Sequence, residues 1–154
     1  MPPLSEATLS TPLGPLRLRA GDRGIAAVQF AGGPSRSGRS NVLLRRCATQ
    51  MAEYFAGSRK VFRVPTELRG TPFQRAVWKA LRHIPCGRTV TYGELARMAG
   101  HPRAARAVGS ALRKNPLPVL LPCHRVVPAS GGIGRYTGGS HRKKVLLELE
   151  RSCH

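Results

Sequence analysis

Two helix-start signals constrain the second half of this chain more than any other feature. In residues 71–74 and 91–94, a threonine is followed three residues later by glutamine or glutamate. In such a capping box, the hydroxyl and the later side chain each bond a backbone N–H that the first helical turn leaves free. Apolar residues recur at helical spacing after the first box, and Gly100 is a typical helix stop. Helices are therefore predicted over residues 72–84 and 92–98.

A third helix is predicted from His101-Pro102 to Asn115-Pro116, about three residues after the second one. Two short helices with so short a connection are typical of a helix-turn-helix. The small residues of this helix allow its backbone to approach another surface closely. The spacing of the residues does not decide whether that surface is DNA or a neighbouring helix, and the two are equal alternatives. Its basic side chains, which favour DNA, are Arg103, Arg106, Arg113 and Lys114.

The first part of the chain predicts a small α/β unit. Alternating apolar residues broken by glycines indicate strands over residues 9–31, and a Gly/Ser/Pro-rich loop follows over 31–40. Helical spacing returns over 41–55, and residues 61–65 are a candidate strand. The predicted fold is an α/β N-terminal domain, a small antiparallel sheet plus helix, followed by a mostly α C-terminal domain with a helix-turn-helix and an active-site loop.

The charge of the chain is strongly one-sided, with 26 Lys and Arg against 7 Asp and Glu and a formal net charge of +19. Such a surface favours a polyanionic partner, because each neutralised phosphate releases condensed counterions.

The predicted domains are residues 1–68 and 69–154, and the second holds the basic helix-turn-helix. No segment has the apolar length of a membrane span, and the start lacks signal-peptide order. A cytoplasmic protein is expected, associated with the nucleoid in a bacterium.

The cysteine pattern predicts reduced thiols and no metal site. The cysteines are widely spaced, with no C-x-x-C motif and no histidine pair at zinc spacing. Free thiols are usual in a cytosolic protein. The four residues concerned are Cys47, Cys86, Cys123 and Cys153.

The segment 121–127 places a thiol next to an imidazole in an apolar stretch. The thiolate is the nucleophilic form of cysteine, so a reactive Cys123 needs a base such as His124. Adjacent side chains diverge along extended backbone, so His124 is expected to reach the sulfur through a water or a sharp bend. A Cys-His unit also benefits from an acid that orients the imidazole. Glu150 and Glu148 are both candidates, and spacing alone does not choose between them.

The chain resembles the O6-alkylguanine-DNA alkyltransferases. Residues 122–126, Pro-Cys-His-Arg-Val, match the active-site signature of that family without a change, and the resemblance is strong from Thr71 to Arg151. Other motifs follow in the family's order. They are Tyr92-Gly93-Glu94, Arg106-Ala107-Val108-Gly109, Asn115-Pro116, Tyr136-Thr137-Gly138-Gly139 and Leu146-Leu147-x-x-Glu150.

The resemblance implies a role for each catalytic residue. Cys123 would accept the alkyl group, His124 would deprotonate it through a water, and Glu150 would orient His124. Asn115 would brace the turn that carries the active-site segment. Tyr92 would lie beside the flipped base and assist protonation of the departing guanine. Neither a cofactor nor a metal is expected for this transfer.

The resemblance also implies a DNA-binding surface and a substrate pocket. Arg106 would enter the gap left by the extruded nucleotide, with the helix-turn-helix docked in the minor groove of double-stranded DNA carrying alkylated guanine. The expected DNA-binding residues are Arg103, Ala105, Arg106, Ala107, Gly109, Arg113 and Tyr92. The expected pocket residues are Pro122, Val126, Tyr136, Thr137 and Lys143.

The expected function is direct reversal of DNA damage by a monomer. O6-alkylguanine, and O4-alkylthymine as well, would be flipped out of the duplex and dealkylated in a single-turnover reaction. The product thioether has no acidic proton and no good leaving group, so each molecule would act once. The alternatives are an alkyltransferase-like protein that only binds lesions, a basic transcription regulator and a cysteine hydrolase. The presence of Cys123 argues against the first, the His124 and Glu150 matches against the second, and the basic helix-turn-helix against the third.

Overall fold

The computed structural model describes residues 5–30 and 41–153, so the loop predicted over 31–40 lies outside the described residues. The chain divides into two compact units between Leu68 and Arg69. None of the helices in the described ranges is long and apolar enough to cross a membrane.

Unit 1 contains a three-stranded antiparallel sheet in the order β1 (Ser5–Thr11), β2 (Gly14–Ala20) and β3 (Ile25–Phe30). Because side chains alternate across a strand, Leu16 and Leu18 of the central strand are fully buried on one face. The predicted antiparallel strands are confirmed. The first strand includes residues before position 9, where serine, threonine and glutamate give little apolar pattern.

Helix α1 (Val42–Phe55) packs against this sheet and confirms the helix predicted over residues 41–55. Asn41 is its N-cap, and the side-chain oxygen accepts a 2.7 Å hydrogen bond from the backbone N–H of Leu43. Apolar residues at helical spacing form its buried face. They are Leu44, Cys47, Met51 and Tyr54.

The prediction of a strand over residues 61–65 is wrong. The buried side chain of Gln50 bonds both the N–H and the carbonyl of Arg63, at 2.8 and 3.3 Å, so these groups are not left for a strand ladder. Pro65 has no N–H to donate. The chain makes only an isolated parallel bridge between Ile25 and Thr66 in this part of the described structure.

Unit 2 begins with the helices that the capping boxes predict, α2 (Pro72–Leu81) and α3 (Tyr92–Met98). The Thr71 hydroxyl accepts from Gln74 N at 3.1 Å, and the Gln74 side chain accepts from Thr71 N at 3.0 Å. The second box makes the same pair of bonds. Helix α2 is shorter than predicted, because i→i+3 hydrogen bonds replace the helical ladder at its end.

Helix α4 (Ala105–Arg113) starts later than the His101-Pro102 predicted from sequence. Proline disfavours the helical conformation of the residue before it, and a turn closed by Ala104 N to His101 O precedes the helix. The connection from α3 is therefore longer than the predicted three residues. The buried face of α4 packs toward α2, where Trp78 Nε1 donates a 2.9 Å bond to the carbonyl of Ala111.

The rest of unit 2 carries the active-site segment. Strand β4 (Val90–Thr91) pairs in parallel with β5 (Val126–Val127). A 3₁₀ turn, Cys123–Arg125, precedes β5, and helix α5 (Ser140–Leu149) is followed by a second 3₁₀ turn, Glu150–Ser152. The active-site segment thus lies between a short sheet and the C-terminal helix.

Cys86 and Cys153 form a disulfide, which corrects the expectation that all four cysteines are reduced thiols. Their Cα atoms are 5.7 Å apart, although 67 positions separate them in sequence. That separation explains why no local motif indicated the pair. Cys47 and Cys123 are free and buried.

Candidate active site and nucleic-acid interface

Asn115 ties together the loop that leads to Cys123. Its Nδ2 donates to the carbonyl of Leu121 at 3.0 Å, and its Oδ1 accepts from Leu117 N at 2.9 Å. Val119, between them, has a φ of 76°, a left-handed conformation that β-branched residues rarely adopt. Backbone persists in such a conformation only when its surroundings fix it. The loop is therefore held firmly by its own hydrogen bonds and packing.

Cys123 and His124 lie in a 3₁₀ turn rather than in extended backbone. The turn closes because Arg125 N bonds to the carbonyl of Pro122 at 3.0 Å. The two adjacent side chains diverge: Cys123 borders a cavity, whereas His124 is fully buried and contacts Glu150. The thiol and the imidazole thus share one turn and have different neighbours.

Glu150 joins His124 and Arg125 in a buried network. His124 Nε2 lies 2.7 Å from Glu150 Oε2, and Arg125 donates through Nε and Nη2 to the two carboxylate oxygens at 2.8 and 2.9 Å. This two-pronged arginine–carboxylate geometry is among the strongest that side chains form. Glu148 is exposed instead. The fold therefore brings Glu150, and not Glu148, to the imidazole.

The protonation states of this network follow from burial and hydrogen bonding. Burial, together with the charges of Arg125 and Lys143, lowers the pKa of His124 and outweighs the hydrogen bond and charge of Glu150, which raise it. Burial raises the pKa of the Glu150 carboxyl, but the hydrogen bonds from His124 and Arg125 outweigh that effect and hold it below its ordinary range. His124 Nδ1 is buried without a hydrogen-bond partner among the described residues. The site thus pairs an ionised carboxylate with a neutral base that retains one unpaired ring nitrogen.

The thiol of Cys123 is protonated in the resting site. Burial raises its pKa to about 11, although the hydrogen bond with Asn115 and the charge of Lys143 lower it. Lys143 is fully buried, and its Nζ donates to the carbonyls of Val126 and Arg135 at 2.6 and 3.1 Å. Burial lowers the pKa of Lys143 to about 8. Forming the thiolate at neutral pH therefore requires a base close to the sulfur.

A cavity of about 740 Å³ opens beside Cys123. Burial and the nearby Cys123 raise the pKa of Tyr92 in its wall, whereas Arg113 and Arg135 lower it, and the net shift is upward. The phenol is therefore protonated at neutral pH. The lining residues are Tyr92, Gly109, Leu112, Arg113, Cys123, Gly134, Arg135, Tyr136, Thr137 and Ser140.

Two of the expected pocket residues, Tyr136 and Thr137, line the cavity. Pro122, Val126 and Lys143 are buried and are not among the lining residues. Val126 pairs in the short parallel sheet, and the Lys143 ammonium is occupied by backbone carbonyls. These three side chains pack within the protein rather than line the cavity.

The expected DNA-binding residues occupy two environments around α4. Gly109 and Arg113 line the cavity together with Tyr92. Val108 and Ala111 are buried. The small residues of this helix therefore include some that pack internally and some that remain open to a partner. The exposed members of the expected set are Arg103, Ala105, Arg106, Ala107 and Arg113.

Several residues of the site had no assigned role in the sequence analysis. Arg125 lies inside the signature, and only three acidic residues follow residue 70, so Glu150 was one of few side chains with which it could pair. The other lining residues gave no signal of their own, because their contacts depend on how the helices pack. They are Leu112, Gly134, Arg135 and Ser140.

Comparisons with known proteins agree with this architecture. The sequence model described as "6-O-methylguanine DNA methyltransferase, DNA binding domain" matches residues 72–152, and the corresponding "ribonuclease-like domain" matches residues 4–68. The chain is 40% identical to a methylated-DNA–protein-cysteine methyltransferase of Methanosarcina acetivorans, over 96% of this chain and 98% of that one. It is 42% identical to the protein of the same name from Mycobacterium leprae, over 94% and 90% of the two chains.

Solved structures give the same result. The O6-methylguanine methyltransferase of Mycobacterium tuberculosis superposes with a TM-score of 0.88 at 39% identity, covering 99% of this chain and 95% of the other. A structure of Mycobacterium tuberculosis OGT in complex with DNA superposes with a TM-score of 0.84 at 44% identity, covering 94% and 91%. From its sequence and its structure alike, this chain belongs to the 6-O-methylguanine DNA methyltransferase family.

Proposed function

We propose that this protein is a methylated-DNA–protein-cysteine methyltransferase that repairs DNA by moving the alkyl group of O6-alkylguanine, and of O4-alkylthymine, onto Cys123. One observation carries the proposal: Cys123 borders a cavity next to the helix-turn-helix and adjoins an imidazole–carboxylate pair. The names and structures of the relatives support it, since curated relatives are named methylated-DNA–protein-cysteine methyltransferases and a similar protein, Mycobacterium tuberculosis OGT, was solved in complex with DNA.

The proton of Cys123 passes to His124 in this proposal. Nε2 of the ring is engaged with Glu150, so Nδ1 is the nitrogen that receives the proton, through one bridging water. The ionised Glu150 stabilises the imidazolium as it forms. Arg125 donates to both oxygens of the carboxylate, including the one that contacts His124, and so holds it in place. These residues therefore act together as the base that makes the thiolate.

The transfer itself is a displacement at the alkyl carbon. The S–C bond forms as the C–O6 bond breaks, and the bonding electron pair leaves with O6. Tyr92, whose phenol is protonated, donates a proton to the departing guanine and regains one from solvent. The step balances without a metal or an organic cofactor. Since a thioether does not release its alkyl group, Cys123 reacts once.

Access to the lesion requires the base to leave the helical stack. Extrusion costs a few kcal/mol, and a side chain that fills the gap offsets part of this cost. We assign that part to Arg106, which is exposed on α4, with the small residues Ala105 and Ala107 allowing the helix to lie close in the minor groove. We also propose action as a monomer, since unit 2 by itself contains the thiol, the imidazole–carboxylate pair and the cavity.

The decisive experiment is to incubate the protein with duplex DNA carrying O6-methylguanine and to measure its intact mass. We expect a gain of one methyl group, mapped by peptide sequencing to Cys123, and a product yield that stops at one equivalent of protein. Tight binding of the lesion with an unchanged mass would identify a lesion-binding protein instead. Neither binding nor a mass change would remove the repair assignment.

Arg106→Ala is expected to weaken duplex binding, because the gap left by the extruded nucleotide is no longer filled. It is also expected to slow methyl transfer from duplex DNA by about tenfold, equivalent to about 1.4 kcal/mol. The matched comparison uses the same lesion in single-stranded DNA, where little stacking has to be broken. Equal slowing on both substrates would contradict a role for Arg106 in base extrusion.

A further inference from the structure

Cys86 and Cys153 join two segments that meet at the Glu150 carboxylate. Cys86 lies two residues after Ile84, whose carbonyl accepts a 2.6 Å hydrogen bond from Nη1 of Arg125. Cys153 lies three residues after Glu150 and donates its N–H to the Glu150 carbonyl at 2.9 Å. The loop after α2 and the turn that carries Glu150 are thus connected twice, through the side chain of Arg125 and through the disulfide.

The backbone next to the disulfide is built for this close approach. Gly87 has a φ of 87°, a conformation that favours glycine. A Cβ at this position would overlap the backbone carbonyl of Cys153. The two segments therefore pack directly against each other, and the disulfide locks an approach that the glycine permits.

Glu150 occupies a position that needs such support. Its side chain is only 2% exposed, and taking a carboxylate out of water carries a large desolvation cost. It sits at the start of a 3₁₀ turn, Glu150–Ser152, and such turns have poorer hydrogen-bond geometry than an α-helix. Unwinding this single turn would return the carboxylate to water. A covalent anchor at Cys153, directly after the turn, opposes that movement.

We propose that the Cys86–Cys153 disulfide is a positioning element that keeps Glu150 on His124 and so makes methyl transfer sensitive to thiol reductants. The proposal rests on the function proposed above. A dithiol reduces the bond by passing two electrons and two protons to the sulfurs and becomes a cyclic disulfide itself. The freed turn then holds Glu150 less firmly. Because Glu150 raises the pKa of His124 against the effect of burial, its departure leaves a weaker base for Cys123.

The test compares three forms of the full chain: oxidised protein, protein reduced with dithiothreitol, and the double variant C86S/C153S. Intact mass and thiol titration establish the state of each form, and the single-turnover rate on O6-methylguanine duplex DNA is measured from about pH 6 to about pH 10. We expect the reduced form and the double variant to react about three- to tenfold more slowly near neutral pH. Because the pKa of His124 falls when Glu150 leaves, the rise in rate that accompanies deprotonation of His124 should move to lower pH, and the plateau above it should be lower than that of the oxidised form.

Controls separate this proposal from its alternatives. Dithiothreitol should not change the rate of C86S/C153S, and thermal unfolding shows that every form is folded at the assay temperature. Identical rates and pH profiles for oxidised and reduced protein, even with a lower unfolding midpoint after reduction, would show that the disulfide only stabilises the fold and would overturn the proposal. Failure of the pair to oxidise in air would overturn it as well. Absence of methylated Cys123 in the oxidised protein refutes the proposed function instead.

Discussion

Replacing Cys123 with alanine is expected to abolish methyl transfer and to leave lesion binding close to that of the unchanged protein. The thiol borders the cavity beside the imidazole–carboxylate pair, and the only other free cysteine in the described residues, Cys47, lies in unit 1. Removing the small buried sulfur should cost only about 1 kcal/mol of unfolding free energy. Intact mass after incubation with O6-methylguanine DNA measures the transfer, and a fluorescence binding titration measures the affinity.

Cys47→Ala is the matched control, because it also removes a buried thiol. Burial raises the pKa of Cys47 to about 12, and this side chain packs in helix α1. We expect the Cys47→Ala protein to lose about as much stability as the Cys123→Ala protein. Its Cys123 should still become fully methylated. A methyl group appearing on the Cys123→Ala protein would refute the assignment of the nucleophile.

Glu150→Gln is expected to lower both the stability and the rate of transfer, with a smaller effect on the rate than Cys123→Ala. The substitution keeps the shape of the side chain but removes the charge that Arg125 and His124 contact. Leaving a buried arginine without its carboxylate costs about 3–5 kcal/mol of unfolding free energy. The rate of transfer at neutral pH should fall by about 10²-fold, because the base is no longer oriented or stabilised when it takes the proton. Urea unfolding and single-turnover kinetics measure the two effects.

The pH dependence of stability gives an independent readout of the same substitution. The carboxyl of Glu150 has a pKa below its ordinary range, so its contribution is fully present above the unfolded-state value and is lost as the pH falls. The unchanged protein should therefore lose stability from about pH 4.5 downwards. The Glu150→Gln protein should lack this part of the acid dependence.

Glu148→Gln provides the control for the glutamate. Glu148 is exposed and pairs with Arg151 on the surface at 3.2 Å, and such pairs contribute about 0.5 kcal/mol or less. We expect neither the rate nor the acid unfolding to change measurably. Equal effects of the two substitutions would contradict the special position of Glu150.

Local features of the fold were predictable because their determinants lie within a few residues. The capping boxes at Thr71 and Thr91 form the hydrogen bonds that their spacing predicted. Helix α1 follows its apolar period in the same way. The predicted start of α4 and the prediction of a strand over residues 61–65 were both wrong, for a related reason. In each, a competing interaction, the turn at His101 or the side chain of Gln50, overrode a weak local pattern.

The sequence by itself determined the family and the charge, and it indicated Cys123 and His124 as the candidate nucleophile and base, because these depend on residue types and short spacings. Only the tertiary structure chose Glu150 over Glu148, supplied Arg125 as its partner and brought Cys86 to Cys153. The members of these pairs are 25 to 67 positions apart in the chain. Contacts at such separation depend on how the helices pack against one another, and no local pattern encodes that packing.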